Sequence, residues 1–311
     1  MARRAIISDI HGNLVAFEAV LADIQTRNVS EILCLGDVAG YGPQPIECIK
    51  RVRATCAWSL RGNHDEALFV DPTDFGKNAL ASILWQRTIL EPKPGSPPEV
   101  AERWNWLRNL QPEIKEKDVA FVHASPREPL YEYVLREDFD DIGLGPTQKA
   151  KDIFAAMDWL CFCGHSHRPG VVAEDYKWIL PSELENGMYY IKRGFKTIVN
   201  IGSVGQPRDG ISDACYVVFE YEPTAPAKPL PASGSGTMIQ VKKPPPPEAR
   251  SSPEDDTKYG EELRAARDTA LLRMPKVTFH RVAYDIAEAQ RRSRAIKELP
   301  EHNAARLITG T

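Results

Sequence analysis

The sequence of 311 residues has no long apolar run: AIIS at 5–8 and TIVNIG at 197–202 fall far short of the about 20 residues a membrane-spanning helix needs. No membrane helix is expected. The opening MARRAII is cut by Ser8, Asp9 and His11 before an apolar signal region could form, so the expectation is a cytoplasmic protein. Six cysteines include no CxxC pair and sit mostly in apolar runs, which reads as reduced core thiols. Neither sign of charge dominates, with 39 Lys and Arg against 43 Asp and Glu, and this excludes a strongly basic nucleic-acid coat. Trp85, Trp104, Trp106 and Trp159 lie in helix or strand patterns without an interleaved basic stripe, so they read as core and not as a platform for bases. GSVG at 202–205 lacks the lysine and helix of a nucleotide P-loop. What is present, 42% hydrophobic and 26% charged residues, is ordinary for a globular chain and enough for a sizeable core.

RAIISD, EILCLGD and CAWSLRGN read as buried strands. Between them, 13–27 places Leu14, Phe17, Val20, Leu21 and Ile24 on one helical stripe, and PIECIKRVRA forms a second helix. This β-α-β-α-β opening predicts a parallel sheet with helices packed on it. Residues 75–110 are mainly helical with a Pro-rich break at 92–98, and from 118 strands dominate: DVAFVHA, WLCFCGH, GVVAED, YKWILP, MYYIKR, KTIVNIG and ACYVVFEY. Two sheets face to face with outer helices is the simplest arrangement. Residues 223–256 are rich in proline around a GSGS, which reads as a flexible or polyproline linker. A charged helical pattern at 258–273, a strand in VTFHRVAYDI and a helix at 286–298 follow; the linker and charged helix together read as an insertion at 223–275 between two paired strands.

Five segments at strand ends hold most of the polar residues that do not look like surface: Asp9 and His11 in DIHGN, Asp37 in GDVAGYG, Asn63 and His64 in RGNHD, His123 in FVHASP, and His165 and His167 in CFCGHSH. Five of the seven histidines fall here, whereas chance would scatter them. In an open parallel sheet such loops gather at one edge, where ligands bind. Singly, a carboxylate after a strand is a turn or cap residue. The pairs Asp9/His11 and His165/His167, at i and i+2, would face one side of an extended segment, an arrangement suited to a metal. Mixed imidazole, carboxylate and amide donors suit Mn, Fe, Zn, Ni or Co better than calcium.

In order, D-x-H, G-D, G-N-H-D, an isolated strand-end His and G-H-x-H resemble the calcineurin-like metallophosphoesterase superfamily. GDVAGYGP and NIGSVGQPRDG look like its compact prokaryotic phosphodiesterase branch, similar to proteins labelled YfcE-like or diadenosine tetraphosphatase-like. The resemblance covers 3–222 and resumes near 276. It implies an α/β fold, a four-layer α/β/β/α sandwich of two mixed sheets flanked by helices, in a single domain spanning 1–311. It also implies two divalent metal ions, one on Asp9, His11, Asp37 and His167, the other on Asp37, Asn63, His123 and His165, with Asp37 shared. Such a pair lowers the pKa of a bridging water, which attacks phosphorus without a covalent enzyme intermediate. His64, beside Asn63, is then the general acid.

The protein-phosphatase branch carries an acidic residue three positions after the shared Asp; here Gly40 stands there, which argues against a protein serine/threonine phosphatase and leaves Asp65, or nothing, to orient His64. Arg61 and Arg208 are candidate phosphate clamps, though each would equally suit a surface ion pair. Asn200, Gly202 and Ser203 fit either a place near the metals or a tight turn. The expected substrate is a small-molecule or nucleotide phosphoester, with specificity in 66–110 and 125–150. A dinucleoside polyphosphate hydrolase and, less well matched by the motifs, a protein phosphatase are the alternative readings among enzymes. A non-catalytic scaffold binding a protein partner through the Pro-rich insertion is an alternative from another class.

Overall fold

The structure is a computed structural model, described for residues 2–139, 145–222 and 274–311. The linker and the charged helix read at 223–273 lie outside the described residues. One sheet has the order β3-β2-β1-β11-β12-β9, the other β4-β5-β6-β10-β7-β8. In the first, β1 (Ala2–Ile7), β2 (Glu31–Cys34) and β3 (Trp58–Ser59) run parallel, and β11 (Ala214–Tyr221), β12 (Lys276–Val282) and β9 (Met188–Tyr190) add antiparallel strands. In the second, β5 (Val119–Val122), β6 (Leu160–Cys163) and β10 (Thr197–Asn200) are parallel, edged by β4 (Glu113–Glu116), β7 (Gly170–Ala173) and β8 (Trp178–Ile179). Glu220 pairs with Lys276, so the strands on either side of 223–273 are neighbours.

The alternation of side chains along each strand builds three apolar layers. Ile6, Leu33, Phe162, Val199, Val217 and Phe219 fill the space between the sheets. Their chain neighbours Ala5, Ile7, Cys34, Tyr216 and Val218 face the opposite way. There they meet α1 (Leu14–Gln25), α2 (Pro45–Thr55), α4 (Lys77–Leu90) and α5 (Pro98–Arg108) through Phe17, Val20, Ile49, Ile83 and Leu107. On the far side Val122, Cys161, Cys163 and Ile198 pack on Ile153 and Phe154 of α6 (Gln148–Ala155). The result is the four-layer α/β/β/α sandwich. Trp104 and Trp159 are core, while Trp85 and Trp106 are only half-buried. All six cysteines are unpaired; five are buried and Cys56 half-buried.

Three elements depart from the sequence reading. β4 has one apolar residue, Ile114, among three charged ones, too little to mark a strand in the sequence although it pairs with β5. α6 is eight residues long, capped by the Thr147 hydroxyl accepting from the Ala150 N–H. The helix expected over 286–298 stops early: α7 (Ile286–Arg294) ends, and α8 (Glu301–Thr309) starts after Pro300. Proline cannot donate in a helix interior but fits at its start. The four-residue α3 (Asn63–Glu66) begins at Asn63.

Candidate metal centre

Asp9 and His11 follow β1, Asp37 follows β2, Asn63 and His64 open α3 beyond β3, His123 follows β5, and His165 and His167 follow β6. These strands are parallel within each sheet, so both sheets deliver the loops after them to one edge. The i and i+2 pairs are not extended, however. Asp9, His11, His165 and His167 have φ of 54°, 50°, 62° and 58°, and Asp37 has 51°. A non-glycine residue in this left-handed region costs of order 1–3 kcal/mol and persists only where the surroundings over-determine it. They do so here. The Asp9 and His11 N–H groups donate to Gly36 O and Asp37 O, at 3.0 and 2.9 Å, and His165 N–H donates to Asp9 Oδ2 at 3.0 Å. Beneath Asp9, Val204 N–H and Gly205 N–H donate to the Ser8 and Asp9 carbonyls, and the Asp9 carbonyl also accepts from Ser203 Oγ at 2.9 Å. Asn200 Nδ2 donates to Gly164 O and Ser166 Oγ, fixing the His165–His167 loop. Asn200 and Ser203 thus hold ligand-bearing loops.

The side chains converge on Asp9 and Asp37. Nδ1 of His11, His123 and His167 lies 3.0, 3.0 and 2.5 Å from the carbonyls of Ala39, Leu35 and Gln206. A carbonyl only accepts, so each Nδ1 carries a proton, and in a neutral ring Nε2 turns a lone pair inward. Two such lone pairs, on His11 and His167, face each other at 3.0 Å. Asp9 Oδ1 is 3.2 Å from His167 Nε2, and Asp37 Oδ2 is 3.4 Å from Nε2 of both His11 and His123. Asn63 Oδ1 is 3.1 Å from His123 Nε2. Asp9 Oδ1 is buried without a hydrogen-bond partner. Two buried carboxylates ringed by imidazoles call for positive charge among them, supplied by a protonated ring or by a bound cation. The triads Asp9/His11/His167 and Asp9/Asp37/His123 have the size to hold one, and imidazole, carboxylate and amide suit a divalent transition ion. His165 stands beside His123 with ring centroids 5.0 Å apart; its Nε2 meets the Tyr131 carbonyl at 3.1 Å, which leaves Nδ1 as its open donor atom.

The charges carry the same message. Burial opposes ionisation of Asp9 and Asp37, yet the neighbouring imidazoles hold both carboxyls below the usual carboxylate range. Burial disfavours the imidazolium of His123, but Asp37 and Asp9 outweigh it and raise His123 to about 9. Burial wins at His11 and His167, which are lowered, and at His165, pushed down to about 3 with His123 adding to the effect. The two carboxylates attract positive charge, and most of the imidazoles stay neutral and able to ligate.

His64 lies at the rim of this cluster. Its N–H donates to Asp37 Oδ1 at 2.8 Å, and its Nδ1 is buried with no hydrogen-bond partner. Burial pushes the ring down to about 4. Asp65 does not orient it: that carboxylate accepts from the N–H groups of Val38, Ala39 and Gly62, at 3.3, 3.0 and 3.1 Å, and so shapes the Asp37 loop. Gly40 has a reason beyond a lost acidic residue. A Cβ there would lie 2.5 Å from His11 Nδ1 and 2.7 Å from His64 Nδ1, and φ is 109°. Tyr41 and Phe75 pack on the His64 ring instead, with centroids 4.6 and 5.2 Å away. Of the two arginines singled out in the sequence, Arg208 joins the site: its guanidinium lies 5.5 Å from the Tyr41 ring, with Nη2 2.8 Å from Gln206 Oε1 and Nε unpartnered. Arg61 is occupied by Glu66, at 2.5 Å, and by the Arg108 carbonyl.

A cleft of about 630 Å³ opens over Asn63, His64 and His165. Its walls include Val70, Phe75, Tyr131 and Tyr133 from the two regions expected to set specificity. Tyr41, His302 and Arg306 also line it and were not foreseen. Tyr41 had a signal, its place in GDVAGYG; the residues of α8 had only their i and i+4 spacing.

Among the described residues no helix is long and apolar enough to cross a membrane. A family model for the calcineurin-like phosphoesterase superfamily domain matches residues 3–224. An uncharacterized protein of Methanocaldococcus jannaschii is 37% identical over 223 residues, which is 70% of this chain and 82% of that protein. The crystal structure of a metallophosphoesterase from Sphaerobacter thermophilus superposes with a TM-score of 0.68 at 31% identity, covering 100% of this chain and 99% of that one. A hypothetical protein from Pyrococcus horikoshii shares the fold, with a TM-score of 0.61 at 18% identity and coverage of 100% and 99%. The chain belongs to the calcineurin-like phosphoesterase superfamily and is a metal-dependent phosphoric ester hydrolase.

Proposed function

We propose that the protein is a phosphodiesterase with a binuclear centre, acting on a small-molecule or nucleotide phosphoester in the cytoplasm. The carrying observation is the convergence of two buried carboxylates with the rings of His11, His123 and His167. Asp9, His11, Asp37 and His167 hold one ion, and Asp37, Asn63, His123 and His165 the other, drawn from Mn, Fe, Zn, Ni or Co. Divalent ions there supply an activated water nucleophile and neutralise phosphoryl oxygens.

The chain's own residues do the rest. Asp37 offers Oδ2 to the centre while Oδ1 is held by the His64 N–H. Arg208, beside Tyr41 and His64, brings a positive charge suited to a phosphoryl oxygen. Burial disfavours the charged form of His64, and a phosphoester anion beside it works the other way, favouring the ring that holds the proton the leaving oxygen needs. The aromatic walls and the cleft's volume exceed what a lone phosphate requires and suit an aryl or nucleoside group. Unpaired, mostly buried cysteines suit a reducing compartment.

The test is elemental analysis of the purified protein, then chelation and metal add-back against bis(p-nitrophenyl) phosphate, p-nitrophenyl phosphate and a diadenosine polyphosphate. The reading requires about two transition ions per chain and diester turnover restored by them. His64→Ala should lower kcat by about 10²–10⁴, the range for a lost general acid, at unchanged metal content. Metal loss in that variant would make His64 structural, and preference for the dinucleotide would move the substrate to the alternative class.

A further inference from the structure

We infer that Arg306 of α8, with Arg208, forms a second anion subsite, so that the substrate is a phosphoester carrying another phosphate beyond the scissile one. This rests on the phosphoesterase reading above, but its observations lie outside the metal cluster and, for Arg306, outside the region matched by the family model.

Arg306 is half-buried in the cleft wall that also holds His64 and His165. Among the described residues, neither Arg306 nor Arg208 is paired with an Asp or Glu side chain. Arg306 Nε donates to the main-chain oxygen of Thr311, and Arg208 Nη2 to Gln206 Oε1. By contrast Arg291, Arg292 and Arg294 on α7 and its end all reach Glu288 or Glu301. Burial lowers Arg306 to about 10, and the nearby Arg208 adds to the effect. Two like charges held together with partial loss of water are unfavourable unless an anion joins them.

The fold also fixes them relative to each other. Asn303 Nδ2 donates to the Tyr41 carbonyl at 3.2 Å and to Ser82 Oγ at 2.8 Å, tying α8 to the tyrosine over which Arg208 lies. Gly210 N–H donates to Gly310 O at 2.8 Å, joining the segment after Arg208 to the end of α8. Gly310 has φ of 61°, and a Cβ there would come within 2.6 Å of the Ile211 backbone. Both guanidiniums are thus anchored around Tyr41, where their remaining N–H groups suit phosphate oxygens.

The probes are thymidine 5′-(p-nitrophenyl phosphate) with and without a 3′-phosphate, both read by p-nitrophenol release from the metal-loaded protein. Wild type should prefer the 3′-phosphorylated ester in kcat/KM. Arg306→Gln should reduce that preference about 10- to 100-fold, chiefly through KM, as expected for a lost hydrogen bond to a charged group, with Arg306→Lys intermediate. Equal loss on both esters, or no preference in wild type, overturns the subsite. Calorimetry on the chelated protein separates the two readings, because adenosine 3′,5′-bisphosphate should bind more tightly than AMP, and through Arg306, even if no ester is turned over. Equal binding of the two nucleotides would also overturn it.

Discussion

The floor of the cleft and its wall are built by different rules. On the floor every ligand candidate but Asn63 is fixed by the backbone: His11, His123 and His167 by carbonyls at Nδ1, His165 by the Tyr131 carbonyl at Nε2, Asp9 Oδ2 by the His165 main-chain N–H, Asp37 Oδ1 by the His64 main-chain N–H. Apart from Asn63 these residues are less than 5% exposed. The wall is made of larger, wetter side chains, with Tyr131 and Tyr133 45% and 41% exposed. A rigid floor suits a reaction whose geometry does not change between substrates, and an adaptable wall suits the part of the substrate that does. The glycines tell the same story. A Cβ at Gly62 or Gly164 would run into the Asp37 or Asp9 carboxylate, whereas one at Gly76, in the wall, meets nothing within 4 Å.

The largest expected effect therefore comes from the floor. Asp37→Asn keeps an oxygen for the His64 N–H but removes the charge facing His11 and His123. Turnover of every phosphoester should fall at least ~10³-fold, about 4 kcal/mol of transition-state stabilisation, with loss of bound metal measured on the same sample. Near-normal hydrolysis of bis(p-nitrophenyl) phosphate by a folded Asp37→Asn protein would sink the assignment of the floor.

A smaller and more selective effect belongs to the wall. Tyr133 stacks on His165, with centroids 3.9 Å apart and planes 22° apart, and lines the cleft. Tyr133→Leu should raise KM for aryl and nucleoside esters about 2- to 10-fold, the range of one aromatic contact, and change kcat less. A fall in kcat matching that of Asp37→Asn would merge wall and floor into one unit.

This division also explains what could be read in advance. The floor was legible because its chemistry lies in rare residue types at strand ends, and strands show in sequence as short apolar runs. The two-sheet core was legible for the same reason, since residues such as Ile6 and Ile7 feed opposite layers simply by alternating. The left-handed backbone at Asp9, His11, Asp37, His165 and His167 was not, because only the contacts between loops impose it. Nor was the wall. Tyr131 and Arg306 are common residue types whose meeting depends on loop paths, and on a terminal helix that returns to Tyr41 from 262 positions away. A charged strand such as β4 likewise carries no mark in its own composition.

The smallest effect uses a histidine outside both regions, to separate burial from function. His280 on β12 is stacked near Tyr216, with centroids 5.1 Å apart, and faces Arg27, Arg3 and Asp23. Burial, with Arg27 and Arg3, lowers it from 6.5 to about 4, against the opposing pull of Asp23. Between those pH values the unfolded chain binds a proton there that the folded chain refuses, so this residue's contribution is complete above 6.5 and is lost as pH falls toward 4. His280→Gln should therefore lose less stability than wild type between pH 7 and 5, read as the change in thermal midpoint, while diester turnover at pH 7 stays within about twofold, as for a substitution away from the site. An equal midpoint change in both proteins would show His280 to titrate normally.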